Sequence, residues 1–119
     1  MKLAVSSQGD SLQSPIDTRF GRAQGFIIYD TDNSSFEFME NKQNLNLPQG
    51  AGIQTAQNVA NTGVKAVISG HIGPKAFSAL SKAEIEIYFA SAGTVDEALE
   101  AYKKGLLEKA QTPDKPGHW

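Results

Sequence analysis

The residues of this chain best suited to chemistry are cations and glycines rather than nucleophiles. Arg19 and Arg22 bracket Phe20 and Gly21 in the run Asp17-Thr18-Arg19-Phe20-Gly21-Arg22. Lys75 closes a second run, Gly70-His71-Ile72-Gly73-Pro74-Lys75, and Gly50-Ala51-Gly52 makes a third. Glycine turns that open helices let a ligand approach the backbone closely, and each helix start offers unpaired amides with partial positive charge. Together with two guanidinium groups and an ammonium, that chemistry suits an anion, and His71 adds an imidazole able to ligate a metal. Each residue also has a purely structural reading. Arg19 and Arg22 can pair with Asp17 or Asp10, and Phe20 can plug the core. The glycines can be ordinary turn residues, Lys75 can be solvated, and His71 can be a surface residue. Their shared position, developed below, favours a site.

Catalytic constellations are missing. There is no Gly-x-Ser-x-Gly elbow, no phosphate loop ending in Gly-Lys-Ser/Thr and no His-x-x-x-His spacing. Without any cysteine, the fold has no disulfide and a metal here must be bound without thiolates. His118, beside the terminal Trp119, could touch a metal but reads better as part of a flexible end. Eleven Lys and Arg against thirteen Asp and Glu give a net charge of −2, which argues against a general binder of nucleic acid or of membrane surfaces. No run approaches the ~18 apolar residues of a membrane span, and the N-terminus turns polar after Leu3-Ala4-Val5. A cytoplasmic location is the expectation, and nothing in the sequence fixes an oligomeric state. At 119 residues the chain fits one domain, expected over 1–110 with a frayed tail over 111–119.

The elements that must position these residues follow from pattern. Leu3-Ala4-Val5, Phe26-Ile27-Ile28-Tyr29 and Phe36-Glu37-Phe38-Met39-Glu40 read as strands, the latter two as a hairpin around Asp30-Thr31-Asp32-Asn33-Ser34. A helix from Gly50 carries Ile53, Ala56, Val59 and Ala60 on one face and stops at Gly63. A fourth strand over 65–69 leads to a helix with Pro74 near its first position, and a fifth over 85–89 leads to a third helix. Thr94 and Glu97 form a capping box for that helix, and Val95, Ala98, Leu99, Tyr102 and Leu106 form its apolar stripe. The order β-β-β-α-β-α-β-α predicts a three-layer α/β/α domain on a five-stranded mixed sheet with strand two antiparallel. The loop after strand one and all three helix starts then fall at the carboxyl ends of the parallel strands, where open α/β sheets bind ligands.

This strand order resembles the ribonuclease H fold, whose nucleases hold metals with a carboxylate on the first strand. Here that strand is Leu3-Ala4-Val5-Ser6, without an acid, so a nuclease reading fails. The three glycine-containing runs, in this order, resemble instead the dinitrogenase iron–molybdenum cofactor biosynthesis family, over about Met1 to Leu107. That family takes in NifX-like carriers, the C-terminal part of NifB proteins and the orange protein with its molybdenum–copper sulfide cluster. The resemblance implies a ribonuclease H-like fold and non-catalytic binding of an anionic metal–sulfur cluster, of Mo/Fe/S or Mo/Cu/S type. It implies metal-cluster donor or acceptor proteins as partners. Carried onto this chain, it makes Arg19, Phe20, Gly21 and Arg22 one wall of the site, Gly50 and Gly52 the second, and His71, Gly73 and Lys75 the third. His71 is then the candidate metal ligand. A regulatory or adaptor module that binds a small anion or a protein partner on the same rim is the alternative.

Overall fold

The computed structural model describes residues 1–41, 51–90 and 92–110. Its elements are β1 (Lys2–Ser7), β2 (Gly25–Asp30), β3 (Phe36–Glu40), α1 (Ala51–Ala60), β4 (Ala66–Ser69), α2 (Pro74–Lys82), β5 (Glu86–Phe89), α3 (Val95–Lys103) and β6 (Glu108–Lys109). One mixed sheet runs in the order β3-β2-β1-β4-β5-β6. The all-buried runs of the sequence become the central strands, as expected for strands covered on both faces. Antiparallel pairing joins β1 to β2 and β2 to β3, while β1–β4 and β4–β5 are parallel. Strand two therefore runs against both of its neighbours, as its hairpin predicts.

Alternation along the strands divides the core into two layers. Ala4, Phe26, Ile28, Val67 and Ile87 face α1 and α2, where Ala56, Val59, Ala76 and Leu80 meet them. Leu3, Val5, Ile27, Tyr29, Ala66 and Ile68 face the other way, against Val95, Ala98 and Leu99 of α3. The three-layer arrangement follows directly from these two clusters.

The sheet has six strands, not the expected five. Tyr88 and Phe89 of β5 pair antiparallel with Lys109 and Glu108, and the Ala110 amide donates to the Ile87 carbonyl at 2.8 Å. A two-residue strand of exposed, charged side chains carries no apolar alternation to announce it. A surface ion pair between Lys109 and Glu86, at 3.1 Å, accompanies it. Helix α3 also ends earlier than its expected stripe. Gly105 takes φ +71 just beyond it, and Leu106 lies outside the helix, 73% exposed. The expected loop over 41–49 (beyond Asn41), the helix start at Gly50 and the tail over 111–119 lie outside the described residues.

Candidate functional site

The long first loop is pinned in both core layers. Ile16 is buried in the layer under α3, whereas Phe20, 1% exposed, is buried in the layer under α1 and α2 with its ring centroid 5.3 Å from that of Phe26. Between them Asp17-Thr18-Arg19 passes over the end of β4. Gly70 permits the crossing: a Cβ there would stand 2.9 Å from the Thr18 backbone. The Phe20 amide donates to the His71 carbonyl at 3.0 Å, and Arg19 and His71 form a parallel bridge. The structure thus brings the Arg19 and His71 runs together along their backbones.

Asp17 organises this segment and was not singled out from the sequence as a site residue. Its carboxylate is 2% exposed and accepts the amides of Arg19, at 3.0 Å, and Gln24, at 3.2 Å. It also pairs with the Arg19 guanidinium through Nε at 3.3 Å. An Asx turn from Asp17 to the amide two residues on is the local signal that could have revealed it. Asn41 is a second such residue. Its Nδ2 donates to the carbonyls of Gly21 and Ala23, at 3.2 and 2.9 Å, and its Oδ1 accepts from Thr55 of α1 at 3.0 Å. At the base of the loop, Ser6 donates to the Asp17 carbonyl and is hydrogen-bonded through its hydroxyl to that of Ser69, joining the ends of β1 and β4.

The site residues read from the sequence fall into distinct groups. Arg19, Arg22 and Lys75 are exposed, and Arg22 and Lys75 make no ion pair among the described residues. Arg19 remains 59% exposed despite its pairing with Asp17. His71 is half-buried. The Phe20 ring belongs to the core, so what this residue turns toward the rim is backbone. Gly21 supplies a carbonyl stitched to Asn41 and to Thr55. Gly52 sits against α2, where a Cβ would lie 3.2 Å from that of Ala76, so its smallness brings the first turns of the two helices together. Gly73 is the N-cap of α2 and faces open space. Gly50 lies outside the described residues.

The helix starts are not equivalent, which corrects the expectation that all three offer free amides. At α3 the Val95 amide donates to the Ser14 carbonyl and the Asp96 amide to that of Leu12, each at 2.9 Å. The Glu97 amide donates to Thr94 Oγ1, and Glu97 accepts from the Thr94 amide in return. Asp96 and Glu97 also place negative charge in that first turn. The loop's own carbonyls and the capping box have therefore used the amides an anion would need. At α2 the N-cap is Gly73, without a side-chain cap, and the first residue is Pro74, without an N–H. Among the described residues nothing caps the amides of Lys75 and Ala76, and the first turn holds no acid.

The Arg19–Arg22 run and the His71–Ala76 run, joined at the Arg19–His71 bridge, carry two guanidinium groups, an ammonium, amides uncapped among the described residues and one imidazole. No group of three or more His, Asp or Glu side chains stands within reach of one metal ion among the described residues. Such a set fits a preformed anion better than a bare cation. Nor is any described helix long and apolar enough to cross a membrane.

Comparison with known proteins is consistent along the whole chain. A family model described as dinitrogenase iron-molybdenum cofactor matches residues 1–105. The chain is 35% identical over 111 residues to an uncharacterised protein of Methanocaldococcus jannaschii, covering 92% of this chain and 91% of that one. It superposes on the apo form of the orange protein from Desulfovibrio gigas with a TM-score of 0.91 at 36% identity, over 96% of each chain. A Thermotoga protein of the DUF35 family, studied by NMR as a candidate NifB protein, gives a TM-score of 0.84 at 34% identity over 98% of each chain.

Proposed function

Because the chain belongs to the dinitrogenase iron–molybdenum cofactor family, we propose that it carries an anionic metal–sulfur cluster on this rim without transforming it. The observation that carries the reading is the start of α2, uncapped among the described residues and flanked by Lys75, His71 and the Arg19 loop, in a chain without cysteine. Arg19, Arg22 and Lys75 supply charge, and the amides of Lys75 and Ala76 donate hydrogen bonds to cluster sulfides or oxygens. His71 is the one imidazole of the site and its candidate metal ligand. Gly52 and Gly73 keep the approach to the helix starts clear, and Gly21 and Phe20 hold the loop that bears the arginines. With no thiolate to anchor the cargo, exchange is fast, which suits delivery between a donor and an acceptor protein in the cytoplasm. A ribonuclease H-like ancestry fits the strand order, and the cargo is of the Mo/Fe/S precursor or Mo/Cu/S type.

Anaerobic reconstitution with thiomolybdate and copper, and separately with molybdate, iron and sulfide, tests this through absorption spectra and metal analysis. A stoichiometric chromophore should form, and Arg19→Ala with Arg22→Ala should reduce binding at least tenfold while leaving the circular dichroism unchanged. A protein that stays colourless in every mixture sinks the carrier reading. Open amides at α2 would equally serve an adaptor for a small phosphorylated ligand. Thermal stabilisation by nucleotides or phosphate, with none by thiomolybdate, would favour that reading instead.

A further inference from the structure

The two edges of the sheet are built differently. At one edge β6 is two residues long and ends the sheet with charged side chains, a common way to blunt an edge. At the other, β3 runs five residues in unbroken register with β2, from Phe36 opposite Tyr29 to Glu40 opposite Gly25, with no bulge, lysine or proline. The Asp30 amide donates to the Ser35 carbonyl and the Asn41 amide to that of Gln24, which fixes the alternation at both ends of the pair. Ser35, Glu37, Met39 and Asn41 therefore turn their backbone groups toward β2. Phe36, Phe38 and Glu40 turn theirs outward, where they have no partner among the described residues.

On the sheet face over the start of β2, between the first loop and β3, lies a cleft of about 450 Å³, lined by Gln8, Asp10, Gln24, Phe38, Glu40 and Asn41 among others. The carboxylates of Asp10 and Glu40 are exposed there, and neither has an ion-pair partner among the described residues. Glu37 adds a third carboxylate on the opposite face of the strand. We propose that β3 is a docking edge for an extended basic segment of a partner protein, which adds a strand beside Phe36–Glu40 and seats a Lys or Arg in the cleft between Asp10 and Glu40. Main-chain hydrogen bonds supply affinity in this mode, and the acidic cleft supplies selectivity. A second copy of the chain fits less well, because β3 against β3 repeats Glu37 and Glu40 on both sides of the seam. The proposal goes beyond the carrier reading, and its test contains no metal, so either can fail alone.

The probe is a fluorescein-labelled decapeptide of alternating lysine and valine, titrated by anisotropy into the full chain. Controls are the same peptide with glutamate for lysine, and with alternate backbone nitrogens methylated. Binding of the lysine peptide is expected, with amide shifts in ¹⁵N-resolved NMR centred on Phe36, Phe38 and Glu40. Phe36→Pro, which removes an outward N–H and leaves the β2 ladder intact, should abolish it. Asp10→Lys with Glu40→Lys should weaken it on the order of tenfold. Failure of the lysine peptide to bind, binding that survives backbone methylation, or shifts that map away from β3 would each overturn the proposal. Self-association in sedimentation that Phe36→Pro removes would also overturn it, by making a second copy the occupant. The methylated peptide decides the matter on the unaltered protein if the proline variant does not fold.

Discussion

Helices α2 and α3 both begin at the carboxyl ends of parallel strands, yet they treat their first amides in opposite ways. Helix α3 closes its start with a capping box, two acidic residues and the carbonyls of Leu12 and Ser14. Helix α2 begins with Gly73 and Pro74, has no side-chain cap and carries Lys75 in its first turn. Topology brings both starts to the rim, but local chemistry decides which of them can meet a ligand. A helix start that costs the fold a cap is a better guide to function than the rim alone.

This contrast can be broken from either side. The largest effect is expected for Phe20→Ala, which removes the anchor holding the loop on the α2 side. Deleting a fully buried phenylalanine costs about 3–5 kcal/mol, to be read by chemical denaturation. Hydrogen exchange should then accelerate first at Thr18–Arg22, with Leu12–Ser14 retaining protection; equal loosening of both segments would mean that the loop behaves as one unit. Next is Thr94→Ala, which uncaps α3 and should cost about 1 kcal/mol. If α3 does keep its amides for itself, this change leaves cluster binding untouched.

Gly73→Asp is the converse. The extended backbone at Gly73, φ −69 and ψ 167, accepts a side chain, and a Cβ there meets open space. A carboxylate would cap the amides of Lys75 or Ala76 and stabilise the domain by about 0.5–1 kcal/mol. Anion binding should fall at least tenfold in the same variant, seen by titration with thiomolybdate. A variant both more stable and equally competent would remove α2 from the site.

The smallest effect lies at the β5–β6 edge, far from the contrast, and serves as its control. Hydrogen bonds from Lys109 and then from Tyr88 hold the Glu86 carboxyl below its ordinary value of 4.5. A carboxylate depressed on folding stabilises above its unfolded pKa, and that contribution disappears as pH falls through the lower, folded value. Because the pair is about half exposed, the loss should stay under about 1 kcal/mol. Glu86→Gln should lower the melting temperature slightly at pH 7, by the equivalent of under about 1 kcal/mol, and flatten that part of the profile below pH 4.5.

Much of this architecture was legible in the residues. The apolar runs gave the central strands, Thr94 and Glu97 gave the cap of α3, and Pro74 gave the start of α2, because each rests on chemistry local to a few positions. Three features were not legible, for related reasons. Strand β6 depends on β5 for its existence, since Glu108 and Lys109 have no apolar pattern of their own. The closing of α3 is done by backbone carbonyls of Leu12 and Ser14, whose side chains say nothing about it. Asp17 offered an Asx turn and a pairing with Arg19, but its burial and its hold on the Gln24 amide seven residues on depend on the folded loop.

The loop that crosses the end of β4 is fastened by Ile16 in one apolar layer and by Phe20 in the other. Its ordering entropy is therefore met when the protein folds rather than when a ligand arrives. A ligand that reaches the rim finds a wall already standing, and association can approach the speed of an encounter between charged bodies. Departure has no opening of this first loop to wait for, so residence time should track ionic strength and the availability of a competing acceptor rather than motion of that loop.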